Sequence, residues 1–348
     1  MLDYIIVGSG LAGISFAETL LQEQKTFVVI DAPITNSSKV AGGLYNPVVL
    51  KRFTMVWESA AQMQLLDQFY ATIEQRIACS IDHKVAVLRK FNSIEEQNNW
   101  FIASDKPGLA HYLSSKLYSE RYLGIDSPFD YGEVLHTGYV DVALLLKQYQ
   151  NYLLQQQYLL NEQFIHADLQ IHDSFVSYRA IKARRLVFAE GFAMNANPYF
   201  NQLPLEGVKG ELLLIKAPLL QLDKILNASI FILPLGNDLY KVGATYNWAD
   251  KSDLPTAEGK QELVDKLAEV ICCEFKVLDH LAGVRPSVKD RKALVGTHAA
   301  YANVHLLNGL GTRGVMLGPY LAKLLFNHIE YAEALPKEID LRRYAKKI

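Results

Sequence analysis

The first thirty residues alternate between unbroken apolar runs and a helical periodicity. Tyr4-Ile5-Ile6-Val7 is continuous and apolar, the pattern of a strand buried on both faces. A small-residue hexapeptide follows, Gly8-Ser9-Gly10-Leu11-Ala12-Gly13, and residues 14–23 then space their apolar positions as a helix does. Thr26-Phe27-Val28-Val29-Ile30 is a second apolar run and ends at Asp31. This order predicts a βαβ unit that opens the chain.

Further along, residues 58–77 place Leu65, Leu66, Phe69, Tyr70, Ile73 and Ile77 on one helical face. Strands are expected at 85–88, 134–140 and 185–190, and helices at 94–104 and 142–155. From Val208 the pattern turns mostly to strands, at 211–215, 230–233 and 239–244, interrupted by one helix at 260–271. Val304-His305-Leu306-Leu307 is again a buried run; it leads into Asn308-Gly309-Leu310-Gly311-Thr312-Arg313-Gly314 and a last helix at 319–330. Mixed strand-and-helix material like the opening βαβ unit thus stands at the start, middle and end, with β-rich material between. The expected fold class is α/β (α+β overall), with two interleaved domains: residues 1–80, 136–205 and 292–348 in one, residues 81–135 and 206–291 in the other.

Composition narrows the function classes. At 348 residues the chain suits two domains or one large α/β unit, and 50% hydrophobic with 21% charged residues excludes a disordered protein. A formal net charge of −2 excludes a strongly basic polyanion binder but leaves room for a local patch. Three cysteines cannot build a disulfide framework, and neither they nor the nine histidines stand at metal-binding spacing, so no metal site is expected. There is no basic-then-apolar leader and no run approaching ~18 apolar residues. A soluble, cytoplasmic protein is expected.

The opening hexapeptide fits the dinucleotide fingerprint. Gly8 permits the tight turn, Gly10 lets backbone approach a pyrophosphate, and Gly13 packs helix on strand. The helix N-terminus offers free N–H groups to the phosphates, and Asp31, eighteen residues past Gly13, stands where a ribose-binding carboxylate belongs. The small-residue stretch from Asn36 to Tyr45 suits close passage by a planar ligand. The Gly309–Gly314 loop aims a second helix N-terminus at the same place. Two such termini favour FAD over NAD.

Taken together, the opening fingerprint, Ser37 to Gly43, Arg185 to Gly191, Leu205 to Leu213, Lys241 to Thr245, Gly283 to Gly296 and Leu307 to Pro319 resemble the D-amino-acid oxidase and glycine oxidase family of FAD-dependent oxidoreductases. The resemblance implies a Rossmann-type FAD domain of the glutathione-reductase-like kind, assembled from three segments, and a β-rich substrate domain whose sheet covers the flavin. It implies cofactor contacts from Gly8, Gly10, Leu11, Ala12, Gly13 and Asp31, and from Ser37, Ser38, Lys39, Ala41, Gly42 and Gly43. Later contacts are implied at Leu169, at Ala189, Glu190 and Gly191, and at Gly309, Gly311, Thr312, Arg313 and Gly314.

Three cations acquire roles by the same resemblance. Arg285 is similar to the arginine that holds the substrate carboxylate, a task its planar fork and permanent charge suit. Arg313 stands where glycine oxidases place another arginine beside the flavin, and Lys241 resembles the lysine that sarcosine oxidases hold over it for oxygen activation. Lys51, Arg52, Tyr246 and Trp248 are either substrate-facing or simply packed. No cysteine lies in Arg285-Pro286-Ser287-Val288, where sarcosine oxidases attach their flavin, so FAD is expected to be non-covalent.

The expected function is oxidation of the C–N bond of a small carboxylated amine of the glycine, D-amino-acid or N-alkylglycine type, with oxygen or another electron acceptor. Hydride transfer to flavin N5 needs positioning more than acid–base groups. One alternative is an oxidase acting on carboxymethylaminomethyl-uridine in tRNA. Another is a catalytically silent flavin-binding subunit.

Overall fold

The structure is a computed structural model that describes residues 1–32 and 41–344. Two eight-stranded sheets organise it. In the first, five strands run parallel in the order Leu159–Asn161, Phe27–Asp31, Leu2–Val7, Ile181–Phe188 and Val304–Asn308. Leu294–Thr297 extends it antiparallel beyond Val304–Asn308, while Val176–Tyr178 and Leu169–Ile171 form a meander on the other end of Ile181–Phe188.

The apolar runs are continuous because both faces of this sheet are covered. Tyr4 and Ile6, with Phe27 and Val29, face the helices Leu11–Gln22, Ser59–Ile77, Val142–Gln155 and Gly314–Tyr331. Ile5 and Val7, with Val28 and Ile30, face a second core built from Phe164, Tyr178, Met194 and Phe200. The first and last helices approach closely: a Cβ on Gly314 would lie 2.8 Å from Leu11 Cδ1, and one on Gly318 2.5 Å from Ser15 Oγ. Glu18, fully buried, fastens three helices by accepting from Arg76 at 2.8 and 3.0 Å and from the Tyr149 hydroxyl at 2.8 Å.

The second sheet is antiparallel apart from one parallel pair, Ile225–Asn227 with Val87–Lys90. Its strand order is Lys276–Arg285, Val208–Lys216, Leu239–Gly243, Phe231–Gly236, Ile225–Asn227, Val87–Lys90, Tyr131–Val134 and Leu113–Tyr118. All its strands fall within residues 81–135 and 206–291. None of the helices among the described residues is long and apolar enough to cross a membrane.

Of the differences from the pattern-based expectation, three have a clear physical cause. The single strand expected at 134–140 is two, Tyr131–Val134 and Gly138–Val140, in different sheets. His136 between them takes φ +56°, and the buried Thr137 hydroxyl accepts from Val87 N–H and donates to Val85. The last helix begins at Gly314, five residues before the expected start at Pro319. Pro319 has no N–H for the Val315 carbonyl, and the Tyr70 hydroxyl donates to that carbonyl instead, at 2.9 Å. The helix expected at 260–271 runs Ala257–Ala268, because Thr256 caps it by accepting from Gly259 N–H.

Candidate active site

A cavity of about 850 Å3 lies between the two sheets. One wall comes from the C-terminal ends of the parallel strands and the helix N-termini that follow them. There Gly8 takes φ +102°, and any Cβ on it would sit 2.5 Å from the Ala189 carbonyl. Gly10 is the N-terminal cap residue of Leu11–Gln22, and no side chain among the described residues caps that helix end with a hydrogen bond. Asp31 reaches back to the same turn: its Oδ2 accepts from Ser9 N–H at 2.8 Å and from the Ser9 hydroxyl at 2.5 Å. Gln150 then donates to that hydroxyl at 2.6 Å. Asp31 Oδ1 has no donor among the described residues, so it is free to accept from a diol.

Other expected cofactor contacts line the same wall: Leu11, Ala12, Ala41, Gly42, Gly43, Ala189, Glu190, Gly191, Gly311, Thr312, Arg313 and Gly314. Asn308, unforeseen from the sequence, joins two of these loops by donating to Gly191 at 2.9 Å while accepting from Gly309 N–H at 2.7 Å. Ser37, Ser38 and Lys39 lie outside the described residues.

Several expected residues stand elsewhere. Gly13 does not line the cavity; its missing Cβ lets the helix meet the Gly8 carbonyl, which a Cβ would approach to 1.9 Å. Gly309 is one step behind the surface, packed on Val288. Leu169 is buried in the core beneath the sheet, because it begins a strand of the meander. Gln163, Phe164 and His166 line that end instead. Glu190 does face the cavity, with one oxygen 3.0 Å from His166 Nε2 and the other accepting from Asn197 at 2.6 Å.

The opposite wall is the second sheet, through Gly210, Leu212, Phe231 and Tyr246. Arg285 crosses it. Its guanidinium lies over the Tyr246 ring at 4.7 Å and donates to the Thr245 carbonyl at 3.2 Å. Gly210 makes the crossing possible: a Cβ there would fall 1.9 Å from Arg285 Nη2. A glycine inside a strand is a signal of close approach, so this partner was legible in principle. Arg313 lines the same end, at the mouth of the last helix. Burial holds both guanidiniums below the usual arginine range, with the Tyr246 phenol opposing the shift in each case. Neither arginine makes an ion pair among the described residues.

Lys241 is not part of the cavity wall. It pairs between Leu214 and Leu233, two residues short of Gly243, whose partner Leu212 lines the cavity. Burial lowers its pKa, and the Asp141 carboxylate only partly opposes this. Lys51 and Arg52 form the exposed tip between the paired strands Val48–Val49 and Thr54–Met55, and they border a separate cleft with Ser93, Glu95, Glu96 and Lys106. Trp248 is 43% exposed and does not line the cavity.

Residues 3–327 match the family described as FAD dependent oxidoreductase, DAO. The chain belongs to that family. It is therefore an FAD-dependent oxidoreductase, and the glycine cradle, the open helix N-terminus and the free Asp31 oxygen fit such a dinucleotide. Among curated relatives it is 27% identical over 167 residues to the tRNA 5-methylaminomethyl-2-thiouridine biosynthesis bifunctional protein MnmC of Marinobacter nauticus, covering 43% of this chain and 26% of that protein. It is 29% identical over 150 residues to the glycine oxidase of Bacillus subtilis, covering 41% and 40%. These matches span well under half the length of either relative. The crystal structure of glycine oxidase from Bacillus cereus superimposes with a TM-score of 0.78 over 96% of both chains at 18% identity, a likeness of fold.

Proposed function

We propose that this DAO-family protein oxidises the C–N bond of a small amine that carries a carboxylate, with FAD held non-covalently. The observation that carries the reading is Arg285: a half-buried guanidinium, without a counter-ion among the described residues, laid across Gly210 at the cofactor cavity. An unpaired charge partly removed from water is costly, and a carboxylate offered to its fork relieves that cost with two aligned hydrogen bonds. Residues 1–80, 136–205 and 292–348 would hold the cofactor, and the second sheet would present the substrate to it.

Gly8 to Ala12 would receive the pyrophosphate on backbone N–H groups, and Asp31 Oδ1 the ribose hydroxyls. The N-terminus of Gly314–Tyr331 points positive dipole into the cavity, which favours negative charge developing there. When bound, FAD supplies the hydride acceptor. Arg285 would fix the carboxylate so that the neighbouring C–H is aimed at that acceptor, while Leu212 and Phe231 keep water from the reacting carbon. The product imine then hydrolyses. The lack of a cysteine in Arg285-Pro286-Ser287-Val288 supports non-covalent attachment, and three free cysteines suit a reducing cytoplasm.

Arg285→Lys and Arg285→Met test the role. Truncating one member of a buried charge pair costs roughly 2–5 kcal/mol, so kcat/KM for a carboxylated amine should fall about thirty-fold to several-thousand-fold in Arg285→Met, with the lysine variant between. Flavin absorbance should stay normal in both. Unchanged turnover of a carboxylated amine by Arg285→Met would refute the reading.

A second reading is supported by the MnmC relatives and by the 61% exposed Tyr246 ring at the cavity wall, a surface on which a base can stack. It makes the carboxylated amine a carboxymethylaminomethyl group carried on tRNA. Turnover of modified tRNA but of no free amine would select it.

A further inference from the structure

We propose that residues 246–255 are a lid on the cofactor cavity, and that Lys209 is the positioning residue that latches it shut. The lid would serve any small ligand of the cavity; only the probe that tests it rests on the carboxylated-amine reading.

The segment has the form of an Ω-loop, because both its ends are tied to one residue. The Thr245 hydroxyl accepts from Glu211 N–H at 2.9 Å, and the Glu211 carboxylate accepts from Thr256 N–H at 3.0 Å and from the Thr256 hydroxyl at 2.8 Å. Between those ends, Tyr246, Lys251, Ser252 and Asp253 line the cavity, and the Tyr246 ring lies 4.7 Å from the Arg285 guanidinium. What fastens the middle is polar. Lys209, fully buried, donates to Asp250 at 2.5 Å, to Ser252 Oγ at 3.1 Å and to the Leu254 carbonyl. Its backbone exchanges two hydrogen bonds with Asn247, each 2.9 Å, and Lys251 reaches back to the Gly207 carbonyl at 2.8 Å. The large apolar side chains of the loop are turned to water: Tyr246, Trp248 and Leu254 are all exposed.

Side chains alternate between the faces of a strand, so Gly210 opens the cavity face to Arg285 while Lys209 and Glu211 serve the other. Glu211 stands 3.6 Å from Lys209 Nζ and 2.7 Å from His280 Nε2, and so belongs to the sheet as well as to both loop ends. A buried ammonium is costly unless it is fully bonded, and three of its partners are on the loop. The loop is thereby held closed. Opening exchanges those bonds for water and gives up little apolar burial, so the open form stays within reach. Oxidation of an amine gives Lys209 no other task. A ligand would enter and leave while the loop is open, and Tyr246 would return to Arg285 when it closes.

The test uses flavin-loaded protein, with Lys209→Met as one variant and Asp250→Asn, on the exposed side of the latch, as a second that leaves the strand untouched. Hydrogen exchange reads the opening. Amides of 247–254 should exchange about ten- to a hundred-fold faster in Lys209→Met and about threefold faster in Asp250→Asn, with residues 212–215 and 240–242 unchanged. Stopped-flow mixing with methoxyacetate, an inert acid followed by flavin absorbance, reads the passage. Its association and dissociation rates should rise together by the factor seen in exchange, and its Kd should stay within about threefold, because only the open population has changed. Unchanged exchange in Lys209→Met overturns the latch. Exchange that rises through the strands as well overturns it too, since Lys209 would then hold the fold and not the loop. A loosened loop with wild-type ligand rates overturns the lid. Should methoxyacetate fail to bind the wild type, the carboxylated-amine reading falls, and the loop amides alone still decide the latch.

Discussion

Gly210→Ala is the most discriminating single substitution, because it leaves every polar group in place. The added Cβ would lie 1.9 to 2.1 Å from three atoms of the Arg285 guanidinium, where ordinary contact begins near 3.4 Å. The guanidinium must therefore retreat by about 1.5 Å. The backbone need not: the clash is with the far end of a flexible side chain, and alanine is about 0.5–1 kcal/mol better than glycine inside a strand. Stability should hold or rise slightly. A misplacement of ~1 Å in a positioning group costs roughly a hundred-fold, so kcat/KM for a carboxylated amine should drop by about that factor. The assay is anaerobic bleaching of flavin absorbance by the amine, run beside a thermal unfolding scan and a flavin-content measurement. In the Arg285→Met background the alanine should add little, since the group it displaces is gone. Wild-type rates in Gly210→Ala would show that the position of Arg285 does not matter, and the carboxylate anchor would fail with it.

Other outcomes follow from single side chains. Asp31→Ala removes the oxygen free to accept from ribose, so FAD affinity should weaken by about 1.5–3 kcal/mol in a titration of the apoprotein, and unchanged affinity would place the ribose elsewhere. Glu18→Ala strands Arg76 and the Tyr149 hydroxyl between three helices. Denaturant unfolding should show a loss of roughly 3 kcal/mol, and a loss below 1 kcal/mol would mean the helices hold without it. His305 is held neutral, its pKa lowered by burial to about 3, with Arg185 and His328 adding to the shift. The unfolded chain therefore binds the extra proton between about pH 6.5 and 3, and stability falls as pH drops through that window. His305→Leu should flatten the fall in melting temperature between pH 7 and 5, and an unchanged slope would assign it to other groups.

The cofactor-side fold was legible because its signals are local. Two-sided burial made Tyr4–Val7 and Phe27–Ile30 continuous apolar runs, and the elements between them are short and consecutive. Misreadings came where a distant residue decided the outcome. Pro319 reads as a helix start in sequence, but Tyr70, 245 positions from Val315, satisfies the carbonyl that the proline leaves free, and the helix runs through it. The break at His136 depends on Thr137 bonding to residues 85 and 87 across a sheet boundary. The long strand Lys276–Arg285 has no clear apolar pattern in its first half, where Lys276, Leu278 and Asp279 are all exposed.

The same division explains the site. A dinucleotide is gripped mainly by backbone, so its requirements are written as glycines in the segment that makes the contact, and Gly8, Gly10 and Asp31 can be read from thirty residues. A substrate carboxylate is gripped by a side chain whose aim depends on sheet register. Arg285 pairs with Val208, and Gly283 with Gly210, so Arg285 reaches Gly210 diagonally across two strands. No local pattern contains that step. Lys241 shows why: Gly243 pairs with Leu212, which lines the cavity, whereas Lys241 pairs with Leu214 two residues farther back and is not among the lining residues. A shift of two along a strand keeps the face but moves the side chain by nearly 7 Å. That is the difference between Leu214, where Lys241 pairs, and Leu212 on the cavity wall, so in this fold a residue's type and face are readable before its reach is.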